Sequence, residues 1–596
     1  MNLDPTIQER ASYWATSDAF DQATRKEVAD LIAAKREKDI VDRFYRDLEF
    51  GTGGLRGILG AGTARMNIYN VRKASTALAA YLKEAFPGEQ LKVAISHDSR
   101  RYSRDFAKAT VEVMAAHGIQ ALITSELRPV PMLSFMTRHF GCHAGVCVTA
   151  SHNPPEYNGY KVYWQTGGQL VPPHDKAIIT HYGKIKNYAE IKHIPYTDAV
   201  AKGLAREVGS ELDEAYFSKV AALSLRSEGR KNFKIVYSPL HGAGLFPVVE
   251  MLRRYGFADV TVVPEQERPD GNFPTVKSPN PENPTAMDMA RELGKKLKAD
   301  LVLATDPDCD RIGMEILVDG EYVRPNGNQI GALLNHYVLS SQKELGRLPP
   351  EPLVIKTVVT TDLQADLAAE FGATCDETLT GFKWICQRVE EYETGKRKPY
   401  RQFVCGGEES YGFLAGSFVR DKDAVISCCL AAEMVAYYKS QGKSVLDVLD
   451  QMFKNHGAYF ETLADITLPG KDGADQIAAM MAKLRADPPR QIDGIAVKTL
   501  RDFETLKVLD ASDKGFQATG VLDYPRSNVL QFVLVDGTKV SVRPSGTEPK
   551  IKFYVSVKDD AARGKSGAQL QSIKAKCQKR AESIESIFVS MARGSK

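Results

Sequence analysis

The distribution of apolar and polar residues along the chain predicts strand–helix–strand units, and the same order of elements recurs three times. Each unit has a short apolar run, a polar turn, a segment with helical spacing, and a glycine two residues after the helix. Such a glycine fits the left-handed position that follows a helix, and the next strand then pairs in parallel with the first. The three first strands are residues 91–96, 233–237 and 353–359, and the helices after them are residues 106–116, 246–254 and 363–370.

The segments on either side of these units have different patterns. Residues 6–48 predict charged helices, and from about residue 456 strand candidates accompany two helical stretches, which is typical of a smaller α+β domain. We interpret the three units as related domains with mixed α/β sheets, although chance similarity of short units is the alternative. The predicted fold class is therefore α/β with four domains. The predicted domains are residues 1–210, 211–325, 326–455 and 456–596.

Composition and charge are those of a soluble globular protein with several cores. The chain has 596 residues, 43% hydrophobic and 26% charged, and length alone predicts about four domains. A formal net charge of +3 argues against a general nucleic-acid or membrane binder, but it allows a local basic pocket for a small anion. We find no signal peptide or membrane-spanning stretch. The 9 scattered cysteines lack a Cys-x-x-Cys pair, which favours reduced thiols in a cytoplasmic protein.

An aspartate-rich loop with Asp306, Asp308 and Asp310 directly follows an apolar run. Alternate residues of an extended stretch point the same way, so we expect the three carboxylates to converge. Convergent carboxylates repel one another unless a cation lies between them, and all-oxygen ligands favour Mg2+. A calcium-binding EF-hand is excluded, because Arg311 stands where glycine is needed and Leu317 where glutamate is needed. The alternatives are a hydrolase with Asp306 as nucleophile and a solvated acidic turn.

A serine follows a second apolar run, at a strand end of the kind where ligands of α/β proteins bind. Ser151 lies in Thr-Ala-Ser-His-Asn-Pro and lacks the flanking glycines of the Gly-x-Ser-x-Gly hydrolase elbow. Because a free hydroxyl is a weak nucleophile, a metal ion or a positive neighbour must assist it. Lys161 could act as acid or base if burial and nearby cations lowered its pKa, and a solvated lysine is the alternative. The serine and the aspartate loop together predict a metal-assisted phosphoryl-transfer centre.

Four further segments have the composition of a site for a phosphorylated sugar. The turn at 543–550 combines exposed backbone N–H groups with two hydroxyls and two cations, which suits a phosphate dianion as well as it suits a surface turn. Residues 406–412 place paired acidic acceptors beside a small hydroxyl, which suits adjacent hydroxyls of a sugar ring. Residues 380–384 offer an aromatic wall and a charge, and residues 420–423 offer more cations.

In order, and along nearly the whole chain, these segments resemble the α-D-phosphohexomutases, the phosphoglucomutase and phosphomannomutase family. Residues 149–154 resemble the family's phosphoserine loop, 306–311 its metal loop, 407–412 its sugar-recognition loop and 543–550 its phosphate-binding loop. The resemblance implies three related α/β domains and a moving α+β domain around a central cleft. It implies phosphoryl transfer from Ser151 to a hexose monophosphate, giving a 1,6-bisphosphate that turns over and returns its other phosphate to the serine.

The resemblance also implies a role for each candidate residue. One Mg2+ per chain would be held by Ser151, through its phosphate, and by Asp306, Asp308 and Asp310. The catalytic group would be Ser151, Lys161 as acid or base, His152, Arg56 and Arg311. The substrate-binding group would be Glu408 and Ser410 at the ring hydroxyls, with Gly381, Lys383 and Lys422, and Arg543, Ser545, Gly546 and Thr547 at the phosphate that is not transferred.

The substrate implied first is glucose 1-phosphate, interconverted with glucose 6-phosphate, with glucose 1,6-bisphosphate as intermediate and activator. The sequence Gly-Glu-Glu-Ser-Tyr-Gly at residues 407–412 is closer to that of glucose-preferring members of the family. The sequence Gly-Phe-Lys-Trp at residues 381–384 and the chain length also resemble a branch that includes phosphopentomutases. Pentose phosphates and mannose phosphate are therefore the alternative substrates. Pro307 and Cys309 replace the Gly and Ala of many members. A sugar-phosphate sensor and an aspartyl-phosphate phosphatase are the rival functions. We expect a monomer or dimer without nucleic-acid or membrane partners.

Overall fold

The computed structural model describes residues 3–50, 53–468, 470–545 and 549–593 of the chain. The chain forms two compact units. We call the unit built from residues up to 327 together with 382–441 the first unit, and the unit built from 328–381 together with the chain from 442 onward the second unit.

The described residues form 19 α-helices and 23 strands. The helices are α1 (Pro5–Thr16), α2 (Gln22–Ala33), α3 (Glu37–Phe44), α4 (Ile68–Ala85), α5 (Ser103–Ala116), α6 (Val130–His139), α7 (His174–Lys184), α8 (Tyr196–Ala201), α9 (Ser210–Ala221), α10 (Leu245–Arg254), α11 (Pro264–Glu267), α12 (Asp288–Leu297), α13 (Gly327–Glu344), α14 (Leu363–Glu370), α15 (Phe382–Glu393), α16 (Ala424–Ser440), α17 (Val445–His456), α18 (Gly470–Ala486) and α19 (Gly567–Ala592).

The strands are β1 (Gly54–Ile58), β2 (Lys92–His97), β3 (Gln120–Thr124), β4 (Ala144–Val148), β5 (Tyr157–Trp164), β6 (Ala205–Val208), β7 (Lys234–Ser238), β8 (Asp259–Val262), β9 (Leu301–Thr305), β10 (Ile312–Val318), β11 (Glu321–Val323), β12 (Pro352–Thr357), β13 (Thr374–Thr378), β14 (Gln402–Glu408), β15 (Gly412–Ala415), β16 (Ala458–Thr467), β17 (Gln491–Ile492), β18 (Ile495–Asp502), β19 (Lys507–Ser512), β20 (Gly515–Val521), β21 (Leu530–Leu534), β22 (Lys539–Pro544) and β23 (Lys550–Asp559).

The first sheet of the first unit has six strands in the order β1-β5-β4-β2-β3-β6. Strands β4, β2, β3 and β6 are parallel, and β5 and β1 extend the sheet as antiparallel strands. The inner parallel strands β2, β3 and β4 are mostly buried, and Val93, Ile95 and Val146 are fully so, whereas Arg206 and Glu207 of the edge strand β6 are exposed. Strands buried in this way form parallel sheets, because helices cover both faces of such a sheet.

The second sheet of the first unit repeats this topology. In its order β11-β10-β9-β7-β8, strand β7 pairs in parallel with β8 and β9, and β9 leads into the antiparallel strand β10. Strands β2, β3, β4 and β5 have the same relations in the first sheet. The loop between β4 and β5 and the loop between β9 and β10 therefore occupy equivalent places, at the strand ends where ligands of such sheets bind.

The third repeat has the same order of elements. Strand β12 pairs in parallel with β13 in the second unit, and β14 forms an antiparallel hairpin with β15 in the first unit. The turn between β14 and β15 contains residues 409–411, so the predicted sugar-recognition loop is the third member of the equivalent set. The predicted helix 363–370 coincides with α14.

The C-terminal domain of the second unit has an antiparallel sheet in the order β16-β23-β22-β21-β18-β19-β20, with the short strand β17 beside β18. Ile551, Phe553, Val555 and Val557 alternate along β23 and are buried, as the period of two residues requires. The long helix α19 contacts β16 and β23. The hairpin of β19 and β20 was not predicted, because its residues are mostly exposed or half-buried and lack an apolar run.

The fold class predicted from the sequence is confirmed: three repeats with mixed α/β elements precede a domain with an antiparallel sheet and helices. The exact domain boundaries stay predictions. All 9 cysteines lie in the described residues and are free thiols. Among the helices of the described residues, none combines the length and the apolar character needed to cross a membrane.

The N-terminal helices α1, α2 and α3 pack around one buried tryptophan. Trp14 is 1% exposed, and its ring stacks on Phe20 with centroids 4.2 Å apart. Tyr69 of α4 meets the same ring edge-on at 5.7 Å, so this cluster attaches the helices to the first sheet domain. Asp4 and Asp21 cap the first two helices by accepting backbone N–H bonds from Thr6 and Thr24.

We predict that Trp14→Ala lowers the free energy of unfolding of this part of the chain by about 3–5 kcal/mol, because it leaves a cavity among aromatic rings. Urea unfolding followed by far-UV circular dichroism measures this as an earlier first transition. Tyr45→Ala is the control, since Tyr45 is 48% exposed and its loss should change stability by less than about 0.5 kcal/mol. Equal effects of the two substitutions would contradict the role of the cluster.

Candidate active site

The aspartate loop follows β9 and brings three carboxylates together. One ligand oxygen from each of Asp306, Asp308 and Asp310 lies within 4.8 Å of the others, and all three residues are buried. The convergence was predicted correctly, but the reason given for it was wrong, because the loop is a turn and not an extended stretch. Asp306 Oδ1 accepts the N–H groups of Asp310 and Arg311 at 3.0 Å, and Cys309 adopts a left-handed φ of 53°.

Ser151 contacts this loop directly. Its Oγ donates a hydrogen bond of 2.7 Å to Asp306 Oδ2, and the residue is 3% exposed. Its backbone has a φ of 52°, which is uncommon for a residue other than glycine and turns the hydroxyl out of the direction of the strand. The serine and the acidic triad, 155 residues apart in sequence, therefore share one site.

The oxygens of the triad fit a divalent cation. The buried Asp308 Oδ1 and Asp310 Oδ1 accept no hydrogen bond from the described residues, although Arg311 Nε lies 3.9 Å from Asp310 Oδ1. Their Oδ2 atoms lie near lysine ammonium groups. Burial, together with repulsion from Asp308 and Asp310, holds the pKa of Asp306 well above its usual value. A cation bound by these carboxylates and the Ser151 oxygen would contact Asp308 Oδ1 and Asp310 Oδ1 and relieve the repulsion among the three carboxylates.

Two lysines compensate part of the negative charge. Lys161 Nζ lies 2.7 Å from Asp308 Oδ2 and 3.4 Å from Asp310 Oδ2, and Lys422 Nζ lies 3.1 Å from Asp310 Oδ2. Burial lowers the pKa of Lys161, but attraction by Asp308 and Asp310 outweighs it, so its pKa is raised. The condition set for Lys161 from the sequence, a lowered pKa, is therefore not met, and the group is a protonated ammonium.

Of the three other predicted catalytic residues, His152 contacts the serine hydroxyl. His152 Nδ1 lies 3.2 Å from Ser151 Oγ, and burial with nearby Arg311 and Arg56 holds the pKa of His152 well below its usual value, so the ring is neutral. Arg56 on β1 is exposed and its Nη1 lies 3.4 Å from Asn153 Oδ1. Arg311 forms an ion pair with Glu282, a partner that sequence analysis did not identify.

The sugar-recognition segments of the first unit surround Lys422. Glu408 at the end of β14 is 7% exposed. Burial lowers the pKa of Lys422, but attraction by Asp310 and Asp421, with a smaller contribution from Glu408, raises it above its usual value. Ser410 lies in the following turn and is half-buried. Asp421 accepts hydrogen bonds from Tyr163 Oη at 2.7 Å and from the Lys422 backbone at 2.8 Å. The Asp421–Tyr163 contact was also missed, because nothing in the sequence links residues 258 positions apart.

The remaining predicted residues divide between the units. Lys383 on α15 is in the first unit, and burial lowers its pKa to about 8 although Asp175 opposes the change. Gly381, with a φ of 111°, and Arg543 and Ser545, near the end of β22, belong to the second unit. The Ser545 N–H donates to Lys550 O at 2.7 Å. Gly546 and Thr547 lie outside the described residues.

Known proteins match the chain along most of its length. The family descriptions "Phosphoglucomutase/phosphomannomutase, alpha/beta/alpha domain" I, II and III match residues 47–189, 214–316 and 326–456, and the C-terminal domain of the same family matches residues 472–570. A phosphoglucomutase of Staphylococcus epidermidis is 35% identical over 544 residues, which are 91% of this chain and 96% of that protein. A phosphoglucomutase of Staphylococcus aureus is 36% identical over 526 residues, 87% of this chain and 92% of that protein.

The fold also matches a solved structure. The open form of parafusin, a phosphoglucomutase from Paramecium, superimposes with a TM-score of 0.63 at 17% identity, over 91% of this chain and 96% of that one. The sheets and helices define an α/β protein, and the strand-end serine with the acidic triad forms a candidate phosphoryl-transfer centre. The chain belongs to the phosphoglucomutase/phosphomannomutase family, a family of mutases.

We predict that the buried carboxyl of Asp423 makes stability depend on pH. Burial raises its pKa to about 7, against hydrogen bonds from Ile426 N–H and Tyr216 Oη that lower it. The folded protein therefore keeps a proton that the unfolded chain releases near pH 4, and the stability from this proton is lost as the pH rises through about 7. Relative to Asp423→Asn, the wild type should have its higher Tm at about pH 5 and lose this advantage by about pH 8.

Thermal unfolding of the two proteins at both pH values provides the measurement. Asn at this helix start still accepts the Ile426 N–H, so the helix cap is retained. A Tm difference between wild type and Asp423→Asn that is the same at the two pH values would contradict the raised pKa.

Proposed function

We propose that this protein is a phosphoglucomutase that interconverts glucose 1-phosphate and glucose 6-phosphate through a phosphorylated Ser151. The observation that carries the proposal is the 2.7 Å hydrogen bond from Ser151 Oγ to Asp306, inside a buried triad in which two carboxylate oxygens accept no hydrogen bond from the described residues. Phosphoryl transfer depends mainly on positioning and on stabilising charge, and this arrangement offers both. Similarity to proteins named phosphoglucomutase supports glucose as the sugar.

Mg2+ is the cation that we assign to this site, one per chain, held by Asp306, Asp308, Asp310 and an oxygen of phosphorylated Ser151. When bound, it would neutralise negative charge on the transferring phosphoryl group and orient that group. The preference rests on the donor set, which is all oxygen. Asp308 Oδ1 and Asp310 Oδ1, which accept no hydrogen bond from the described residues, are in the same buried loop as Asp306 Oδ2, which accepts the Ser151 hydroxyl.

We assign the two phosphoryl transfers and their proton transfers to residues of this chain. In the first transfer the P–Oγ bond of phosphorylated Ser151 breaks and a bond from phosphorus to a sugar hydroxyl oxygen forms, which gives glucose 1,6-bisphosphate. The sugar hydroxyl loses its proton in this step, and the freed Ser151 oxygen takes one up. In the return step the other sugar oxygen leaves phosphorus and needs a proton, while the serine hydroxyl loses one. Lys161 is the acid we assign to the departing oxygen, and it is protonated in this structure. Its raised pKa comes from attraction by Asp308 and Asp310, so a cation bound by these carboxylates would lower the pKa of Lys161 toward the range in which it can give up its proton. Neutral His152, whose Nδ1 lies 3.2 Å from Ser151 Oγ, and the cations Arg56 and Arg311 are the groups we assign to stabilising charge on the transferring group.

Substrate binding is assigned to two groups of residues. Glu408 and Ser410 accept and donate hydrogen bonds at the ring hydroxyls, with Lys422, Lys383 and Gly381 completing that group. Arg543, Ser545, Gly546 and Thr547 hold the phosphate that is not transferred, as a turn with N–H donors and a guanidinium suits a dianion. Glucose 1,6-bisphosphate is the intermediate and, in trace amounts, the activator. The monomeric or dimeric state, the cytoplasmic location and the absence of nucleic-acid and membrane partners stay predictions.

We predict that Ser151→Ala abolishes mutase activity, because no oxygen remains to carry the phosphoryl group. The test is a coupled assay with Mg2+, a trace of glucose 1,6-bisphosphate, and glucose, mannose or ribose 1-phosphate as substrate. Ser99→Ala is the matched control, since Ser99 Oγ is buried in the turn after β2 and has no hydrogen-bond partner among the described residues. If the proposal is correct, the wild type isomerises glucose 1-phosphate in preference to mannose 1-phosphate and ribose 1-phosphate. Release of inorganic phosphate without isomerisation would instead support a phosphatase.

Substitution in the triad tests the cation site without turnover. Asp308→Asn removes one negative ligand. Because loss of a residue that only hydrogen-bonds a metal ligand already costs about 10–100-fold, calorimetry should find Mg2+ affinity reduced by about 100-fold or more. Asp319→Asn is the control, because Asp319 lies on an exposed turn with a left-handed φ of 52° that asparagine tolerates. Unchanged Mg2+ affinity of Asp308→Asn would remove the triad from the proposal.

A further inference from the structure

We propose that Asp98, Arg100 and Thr149 are positioning residues that hold the Ser151 loop in the conformation needed for phosphoryl transfer. Asp98 and Arg100 lie in the polar turn after β2, and Thr149 directly follows β4, the strand beside β2 in the sheet. None of the three was assigned a role from the sequence. The inference rests on the proposed phosphoryl transfer through Ser151 and adds the device that orients the serine.

The Arg100 guanidinium binds the backbone of the serine loop at four carbonyl groups. Its Nη2 donates to Ser151 O at 2.6 Å and to Asn153 O, and its Nη1 donates to Pro154 O and Tyr157 O at 2.9 Å each. Arg100 itself is 3% exposed. A single planar fork therefore fixes the start, the middle and the end of the loop, which only the geometry of arginine allows.

Asp98 connects this arginine to the backbone N–H of the serine. Its Oδ2 lies 3.4 Å from Arg100 Nε and accepts the Thr149 hydroxyl at 2.6 Å. Thr149 Oγ1 in turn accepts the N–H of Ser151 at 2.8 Å. Asp98 Oδ1 accepts the Arg100 N–H at 2.9 Å and the Ser103 hydroxyl at 2.7 Å. Both backbone polar groups of Ser151 are thus held, one by Arg100 and one through Thr149.

The serine needs this support because its backbone is in an unfavourable region. A left-handed φ of 52° brings the serine Cβ close to the following carbonyl, so the conformation persists only where contacts impose it. The same conformation sends Oγ toward Asp306. Relaxing the backbone of Ser151 would therefore move the nucleophilic oxygen away from the acidic triad.

A segment before the metal loop restrains Arg100 from the other side. The Phe273 ring lies 4.9 Å from the guanidinium carbon, and Gly271 approaches the Arg100–Arg101 backbone so closely that a Cβ would overlap it. Ser278 Oγ donates to His152 O at 2.9 Å. The arginine is therefore enclosed by the loop it holds and by the segment that leads to the metal loop.

The second sheet uses the same construction, which is independent support. There the turn after β7 contacts the metal loop after β9: the Ala243 N–H donates to Pro307 O at 2.8 Å, and a Cβ on Gly242 would overlap Pro307. In both repeats the loop after the first strand supports the reactive loop after the strand beside it. Repetition in two domains indicates that this support belongs to the site rather than to one accidental contact.

The test compares Thr149→Val, Thr149→Ser, Arg100→Lys and Arg101→Lys. Valine has nearly the shape of threonine but removes both hydrogen bonds, and serine restores them. Lysine at 100 keeps the charge beside Asp98 but cannot hold four carbonyls. Arg101 is the control, since it is exposed and its Nη2 reaches only Pro155 O at 3.0 Å. Folding is checked by Tm, and Ser151 phosphorylation by intact mass after incubation with glucose 1,6-bisphosphate.

We expect Thr149→Val and Arg100→Lys to lower kcat per phosphorylated enzyme by about 100-fold, the typical effect of displacing a reacting group by about 1 Å, with KM changed less than about threefold. Thr149→Ser and Arg101→Lys should retain kcat within about threefold. A purely structural role would lower the Tm and the number of phosphorylated sites, but not the turnover of each site.

Two outcomes separate the inference from the proposed function. If the wild type takes no phosphate on Ser151 and does not isomerise glucose 1-phosphate, the proposed function fails, and this inference fails with it. If the wild type does both, and Thr149→Val and Arg100→Lys turn over per phosphorylated site as the wild type does, only the positioning inference is overturned.

Discussion

Repulsion among three buried carboxylates is the constraint on which the rest of the site depends. Asp306, Asp308 and Asp310 could not remain ionised at such short separations without compensating charge. The fold compensates the negative charge with Lys161 beside Asp308 Oδ2 and Lys422 beside Asp310 Oδ2. Two backbone N–H groups donate to Asp306 Oδ1. It leaves Asp308 Oδ1 and Asp310 Oδ1 without a hydrogen bond from the part of the chain that the structure describes. The negative charge is therefore compensated at the oxygens that face the lysines, and a cation together with an anionic group can bind at Asp308 Oδ1 and Asp310 Oδ1.

The repeated topology explains how residues far apart in sequence come to serve this site. Each repeat ends its inner strand in a loop and returns by an antiparallel strand, so the serine loop, the metal loop and the sugar loop are one structural position used three times. The chemistry of each loop differs, while the scaffold is shared. This is an economical way to build a site with separate groups for nucleophile, cation and sugar, because each loop can vary without altering its sheet.

The elements with strong patterns could be predicted from the sequence. Helix α14 was placed at its observed bounds, and the three aspartates and Ser151 were identified because each follows an apolar strand. What could not be predicted depended on contacts between distant residues. The raised pKa of Lys161 comes from Asp308 and Asp310, and the carbonyls that Arg100 binds lie more than 50 residues away in sequence. The β19–β20 hairpin was missed because its burial is too slight to leave an apolar run.

The most direct test of the central claim follows one phosphoryl group through a single turnover. Enzyme labelled with radioactive phosphate is mixed with excess glucose 1-phosphate and Mg2+, and the reaction is quenched at short times. Label should leave the peptide containing Ser151 and appear first in a glucose bisphosphate. Label found on Asp306, or passing directly to inorganic phosphate, would contradict this expectation.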